Sequence, residues 1–183
     1  MTIGFLDVHY DTRGAQAACI VADSWTAEAA LCSCVDVIKE VRPYQPGSFY
    51  LRELPCLISV LRLLPALPDM LVIDGYVWLP PLARAGLGAR LYETLQRRVP
   101  VVGIAKTAFA GGEACADVVP VWRGTSGKPL FVTAAGVDIH AAAEWVRSLA
   151  GKHRLPILVS MADRLSRQPV AMQAVDFPRL HSS

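Results

Sequence analysis

The sequence predicts an α/β domain built on a mixed sheet, with three antiparallel strands leading into parallel strand–helix units and helices on both faces. Two observations carry this. Three short apolar runs recur at intervals of about a dozen residues near the start, the spacing of a meander. Beyond them the pattern alternates strand, helix, strand, which implies parallel pairing through a crossover.

Taken in order, Ile3–Val8 is the first apolar run and contains Asp7, Ala17–Ala22 the second and Ala30–Val35 the third. Polar, turn-like breaks such as DTRG separate them. Phe49–Leu64 follows the loop VRPYQPGS and places Leu51, Leu54, Leu57, Ile58, Leu61 and Leu64 on one helical stripe. Met70–Asp74 reads as a buried strand, Leu82–Arg97 as a helix and Val99–Ile104 as a strand. Val118–Trp122 and Pro129–Thr133 read as strands around GTSGK, and a helix is expected from about His140 to Ala150. From about residue 168 the chain is expected to be a loosely held tail of one domain spanning 1–183.

Composition narrows the class. Of 183 residues 53% are hydrophobic and 19% charged, enough for a core and unlike a disordered chain. No apolar run approaches the roughly 20 residues that cross a bilayer. The opening MTIGFLDVHY lacks a basic start followed by an apolar stretch. The expectation is a cytoplasmic protein with no membrane partner, most simply a monomer. A net charge of +2 neither requires nor excludes nucleic acid, because a small enzyme needs only a local basic lip. The five cysteines include a CxC at Cys32 and Cys34, but no second pair and no nearby His completes a zinc site. They are expected to be reduced core residues.

Three acids interrupt otherwise apolar segments: Asp7 in the first strand, Glu53 early in the first long helix, and Asp74 at the end of the following strand. An unpaired carboxylate is costly to bury there. Carboxylates that converge on one point suit magnesium, a hard ion that takes oxygen ligands and activates water beside phosphate. The carboxyl end of a parallel strand also opens on the crevice where such sheets place their sites. A lone acid at a strand end is more often a cap or a half-exposed residue, so the argument rests on three occurring together.

The segment RPYQPGSFYLRELP, Arg42 to Pro55, resembles the signature of the endonuclease V family: a PYxPG turn, then a helix carrying Arg52-Glu53. LDVHY with Asp7, LVIDG with Asp74 and Gly75, VGIAKT with Lys106, GKPLFVTAAG ending at Gly136, and HRLPILVSMADRL are similar to the family's other blocks, in the same order. The resemblance implies a ribonuclease H-like fold and a divalent-metal nuclease, magnesium or manganese, acting on DNA or RNA. The bond cut would be the second phosphodiester 3′ of a deaminated purine, inosine or deoxyinosine. It implies that Asp7, Glu53 and Asp74 are catalytic metal ligands and that Lys106 lies near the scissile phosphate. It makes Tyr44, Pro46 and Gly47 a wedge that holds the lesion, with Gly75 and Gly136 on the substrate side.

Two departures bear on that expectation. The family pattern has His after the Gly found here at Gly136, where this chain has Val137. Asp138 or His140 could fill the gap; Asp138 could be a fourth metal ligand or could cap the coming helix. After Asp74, bulky Tyr76, Val77, Trp78 and Leu79 stand where small and polar groups are expected, with Trp78 either a stacking face or a buried anchor. These departures leave two further readings open. One is a relative that binds nucleic acid without cutting it. The other is a partner-binding module presenting Trp78, Leu79, Pro80 and Pro81 as an apolar contact.

Overall fold

The computed structural model describes residues 1–12, 14–41, 50–80, 83–109 and 116–169. The three early apolar runs form the expected meander. β1 (Ile3–Asp11), β2 (Gly14–Ala22) and β3 (Cys32–Ile38) pair antiparallel, with Leu6 opposite Cys19 and Cys19 opposite Cys34. α1 (Tyr50–Leu61) buries Cys56, Leu57, Val60 and Leu61 at helical spacing, and Glu53 falls on the same stripe one turn earlier. β4 (Met70–Asp74) runs parallel to β1, placing Leu6 beside Ile73.

The predicted helix from Leu82 to Arg97 is shorter at both ends. Trp78–Leu79 (β5) and Arg84–Ala85 (β6) form a small antiparallel pair, and α2 spans only Leu87–Thr94. The reason is local backbone. Ala83 (φ +47°), Gln96 (φ +58°) and Arg97 (φ +59°) occupy the left-handed region, which a right-handed helix cannot contain.

β7 (Val101–Ala105) is parallel to β4, whereas β9 (Leu130–Ala135) returns antiparallel to β7 and pairs antiparallel with β8 (Val119–Val121). The result is a seven-stranded mixed sheet of order β3-β2-β1-β4-β7-β9-β8. α3 (Ile139–Ser148) and α4 (Ile157–Arg167) follow. No helix was assigned to α4 from the sequence, although Leu158, Met161, Ala162 and Leu165 recur at helical spacing and pack on the core; Ser160, Asp163 and Ser166 interleave with them and break the apolar run.

The helices cover both faces. Ile3, Phe5, Val72, Val102, Ile104 and Val132 pack under α3 and α4 with Trp25. Leu6, Cys19, Ile73 and Val101 pack under α1 and α2. Cys19, Cys32, Cys34 and Cys56 are free thiols, and Cys115 lies outside the described residues. No helix among the described residues is long and apolar enough to cross a membrane.

A buried arginine fixes the connection between α3 and α4. Arg123 donates to the carbonyls of Leu149, Gly151 (3.1 Å), His153 (3.4 Å) and Arg154 (3.3 Å), the dense pairing a buried guanidinium needs. Arg154 then reaches back, donating to the carbonyls of Lys106 and Pro129 (2.7 Å). The loop that delivers α4 is thereby tied to the end of β7. Tail residues from 170 lie outside the described residues.

Candidate metal centre

Parallel register brings two of the acids together. Leu6 beside Ile73 sets Asp7 beside Asp74 at the carboxyl ends of neighbouring strands. Side chains alternate across a sheet, and Phe5 and Val72 face α3 and α4, so Asp7 and Asp74 face the same way. Ile104 pairs with Asp74, and Lys106 lies two residues beyond Ile104 on the same face. Its Nζ donates to Asp74 Oδ2 at 2.6 Å.

The third acid of the cluster is one the sequence reading did not single out. Asp7, Asp74 and Asp163 each offer a carboxylate oxygen within 4.8 Å of the others. Asp163 sits on α4, 3.9 Å from Lys106 Nζ and held side-on by Arg167 through Nε (3.2 Å) and Nη2 (3.0 Å). The signal lay in HRLPILVSMADRL, where an acid follows Met161 and Ala162. From the same helix Ser166, 1% exposed, donates to Asp7 Oδ2 and lies 2.8 Å from the carbonyl of Asp163.

Glu53 approaches from the opposite face, at the start of α1, and is 9% exposed. Burial first, then the charges of Asp7 and Asp74, push its pKa up to about 8. Asp7 is also raised, by burial above all and by Asp74 and Asp163, against the Ser166 hydrogen bond and Lys106. Asp163 is lowered, chiefly by its hydrogen bond with Arg167. Burial pulls Lys106 down, but its hydrogen bond to Asp74 and the surrounding carboxylates hold it above its ordinary value. This is a set of hard oxygen donors whose mutual repulsion a divalent cation would relieve, so the residues fit such an ion.

Asp138 does not join them. β9 runs antiparallel to β7, pairing Ala135 with Val101, so the turn after β9 lies at the end of the sheet opposite Lys106. The length of β7, roughly 13 Å at about 3.3 Å per residue, separates the two edges. There Asp138 caps α3 by accepting from the Ala141 N–H at 2.9 Å. Gly136 belongs to the same turn, at φ +81° against the ring of Tyr92. Val137 and His140 belong to this same end of the sheet, away from Lys106.

A cleft of about 740 Å3 opens beside Glu53 and Asp74, walled by Tyr50, Tyr76, Leu79, Arg84, Arg90 and Phe109, with Gly75 on its floor. Gly75 sits at φ +133°, a conformation that glycine alone adopts readily. The Tyr76 hydroxyl donates to the Thr107 carbonyl (3.0 Å) and accepts from the Phe109 N–H (3.1 Å), and its ring meets Phe109 edge-on at 6.0 Å. Arg90 lies over the ring of Tyr50. Trp78 packs half-buried against the core under α1 and α2, does not line this cleft, and donates its indole N–H to the Ala134 carbonyl at 2.9 Å, as an anchor does. Trp78 and Leu79 are half-buried and Pro80 is buried, so they offer no apolar patch; Pro81 lies outside the described residues. Tyr44, Pro46 and Gly47 also lie outside them.

A seven-stranded mixed sheet, helices on each face and acids at the ends of adjacent parallel strands define a ribonuclease H-like protein with a carboxylate cluster. The chain belongs to the endonuclease V family, a family of nucleases and hence hydrolases: the Endonuclease V family model matches residues 1–164. Endonuclease V of Xanthomonas oryzae is 30% identical over 94% of this chain and 77% of its own length. For Endonuclease V of Rhodospirillum centenum the figures are 30%, 62% and 54%, so the chain spans only about half of that relative. Among solved structures, Endonuclease V of Streptomyces avermitilis superposes with a TM-score of 0.68 at 28% identity, over 91% of this chain and 80% of that one. Ciona intestinalis Endonuclease V, solved with DNA containing an inosine, shares the fold with a TM-score of 0.74 at 20% identity, over 91% and 83% of the two chains.

Proposed function

We propose that this domain is a metal-dependent endonuclease that hydrolyses a phosphodiester of DNA or RNA on the 3′ side of a deaminated purine. The observation that carries the proposal is the convergence of Asp7, Asp74 and Asp163 beside Lys106. Asp7, Asp74 and Asp163, with Glu53 behind them, would hold magnesium or manganese. When bound, the ion supplies an activated water and offsets charge on the phosphate.

The remaining work falls to the chain itself. Lys106, fixed between Asp74 and Asp163, presents a positive charge where the phosphate enters. Glu53, nearly excluded from water, is a place to lodge a proton while the acids are without a cation. The cleft beside Asp74 has aromatic faces in Tyr76 and Phe109 and guanidinium donors in Arg84 and Arg90, the chemistry that accepts an extruded base. Its bulky Tyr76 makes it tighter than a glycine-lined pocket. The setting is a cytoplasmic monomer, in keeping with free, mostly buried thiols.

The test is nicking of labelled single- and double-stranded DNA and RNA that carry one inosine, in magnesium and then manganese, beside unmodified strands. Inosine-dependent cleavage that disappears in Asp74→Asn is the expected result. Cleavage retained in Asp74→Asn would refute the site. A folded, metal-loaded protein that cuts no strand but binds them would instead be a binding relative.

A further inference from the structure

A second cleft, of about 200 Å3, opens on the α4 side of β1 and is lined by His9, Asp11, Gln16, Ser166 and Arg167. That is room for several waters at about 30 Å3 each. His9 lies two residues beyond Asp7 on the same face, a step of about 6.6 Å along the strand. That is the order of spacing between neighbouring phosphates of a polynucleotide.

The donors in this cleft are already oriented. Arg167 spends Nε and Nη2 on Asp163, while its Nη1 stands 3.3 Å from His9 Nδ1. A guanidinium has no acceptor, so it must donate and Nδ1 must accept; the His9 proton then resides on Nε2. Beyond its three bonds Arg167 has two further N–H donors, because a guanidinium carries five. Gln16 holds the end of α4 in place by donating to the carbonyls of Leu165 (2.8 Å) and Gln168 (2.6 Å). Asp11, two residues beyond His9 on the same strand, lines the cleft on the side away from Asp7.

We propose that His9 and Arg167 form a phosphodiester subsite, holding the phosphate next to the one presented to the acidic cluster through His9 Nε2–H and the outer N–H groups of Arg167. The subsite rests on the reading that the cluster acts on nucleic acid. It is read from backbone charge alone and carries no base preference.

The experiment is fluorescence anisotropy of a labelled single-stranded oligonucleotide on the whole chain, with calcium replacing magnesium, across a salt series. Arg167→Met lowers the slope of log affinity against log salt by about 0.7, one phosphate's share on a single strand, and Arg167→Lys restores most of it. His9→Leu weakens binding about tenfold, as loss of a hydrogen bond to a charged group does, whereas His9→Gln, whose amide donates in place of Nε2–H, stays within about twofold of wild type. His9 reaches the cluster only through Arg167, which it meets at 3.3 Å, so calcium affinity is titrated on His9→Leu as well: a wild-type value assigns its loss of oligonucleotide binding to the subsite, and a matching fall in calcium affinity overturns that assignment. Unchanged affinity and slope in both Arg167→Met and His9→Leu overturn the subsite and leave the nuclease reading standing. A wild-type chain with no salt-dependent affinity overturns both.

Discussion

Replacing Glu53 by glutamine should stabilise the metal-free protein while weakening its hold on a cation. Glu53 is 9% exposed and its pKa is pushed up to about 8 in the folded chain, against an ordinary 4.5. A carboxyl raised on folding favours the folded state fully below pH 4.5, and that contribution is lost as pH rises towards 8. Each unit is worth about 1.4 kcal/mol, so at about pH 7.5 the buried carboxyl costs up to roughly 4 kcal/mol. Glutamine is nearly isosteric and never ionises; allowing for its own desolvation and for relaxation, a gain of about 2 kcal/mol remains. For a domain of this length that raises Tm by about 4–8 °C. The assay is thermal and urea unfolding in chelator from acid to mildly alkaline pH. Wild type should weaken across the window from 4.5 to about 8, and Glu53→Gln should weaken less. A variant less stable than wild type throughout, or two parallel pH profiles, would refute the reasoning.

Asp163→Asn should lower manganese affinity and cleavage by at least about 100-fold while leaving Tm within a few degrees, read by titration calorimetry and nicking. Ser166→Ala leaves Asp7 without its hydrogen bond, and metal affinity should fall about tenfold. Asp138→Ala should cost about 1 kcal/mol in urea unfolding through loss of the α3 cap, with metal affinity unchanged; a fall in affinity would return Asp138 to the ligand set. Arg154→Met strips the carbonyls of Lys106 and Pro129 of a charged donor and should destabilise by about 2–3 kcal/mol in the same assay.

How much was legible depended on whether a residue's role is written in its own segment. Asp7 and Asp74 each break an apolar strand, which made them legible one by one; the parallel pairing of β1 with β4 that sets them side by side was not in the alternation, which starts only at Met70–Asp74. Glu53 stood out for the same reason, an acid interrupting an apolar segment, although the stripe it shares with Cys56, Leu57, Val60 and Leu61 is not the one read from the sequence. Asp163 did not: Leu158, Met161, Ala162 and Leu165 show the period of its helix, but an acid flanking that stripe reads as an ordinary solvated position, and only the docking of α4 against β1 turns it towards Asp7. Asp138 stayed open between ligand and cap because proximity in sequence to a family block says nothing of strand direction. Only the antiparallel return of β9 reveals that its turn lies at the other edge. The truncation of α2 turned on left-handed backbone at Ala83, Gln96 and Arg97, residue types that give no warning of it.

The tether running from Arg123 through Arg154 to the end of β7 bears on how the protein is made. Asp163 is carried by a helix that follows all the described strands, whereas Asp7 lies in the first of them. On the ribosome, where chains emerge in order, the sheet can assemble before α4 exists. Until α4 is synthesised and docked, Asp7 has neither Ser166 nor Asp163 beside it. The three-acid set is thus completed late in synthesis, and a chain stalled short of α4 would carry a folded scaffold without the assembled cutting site.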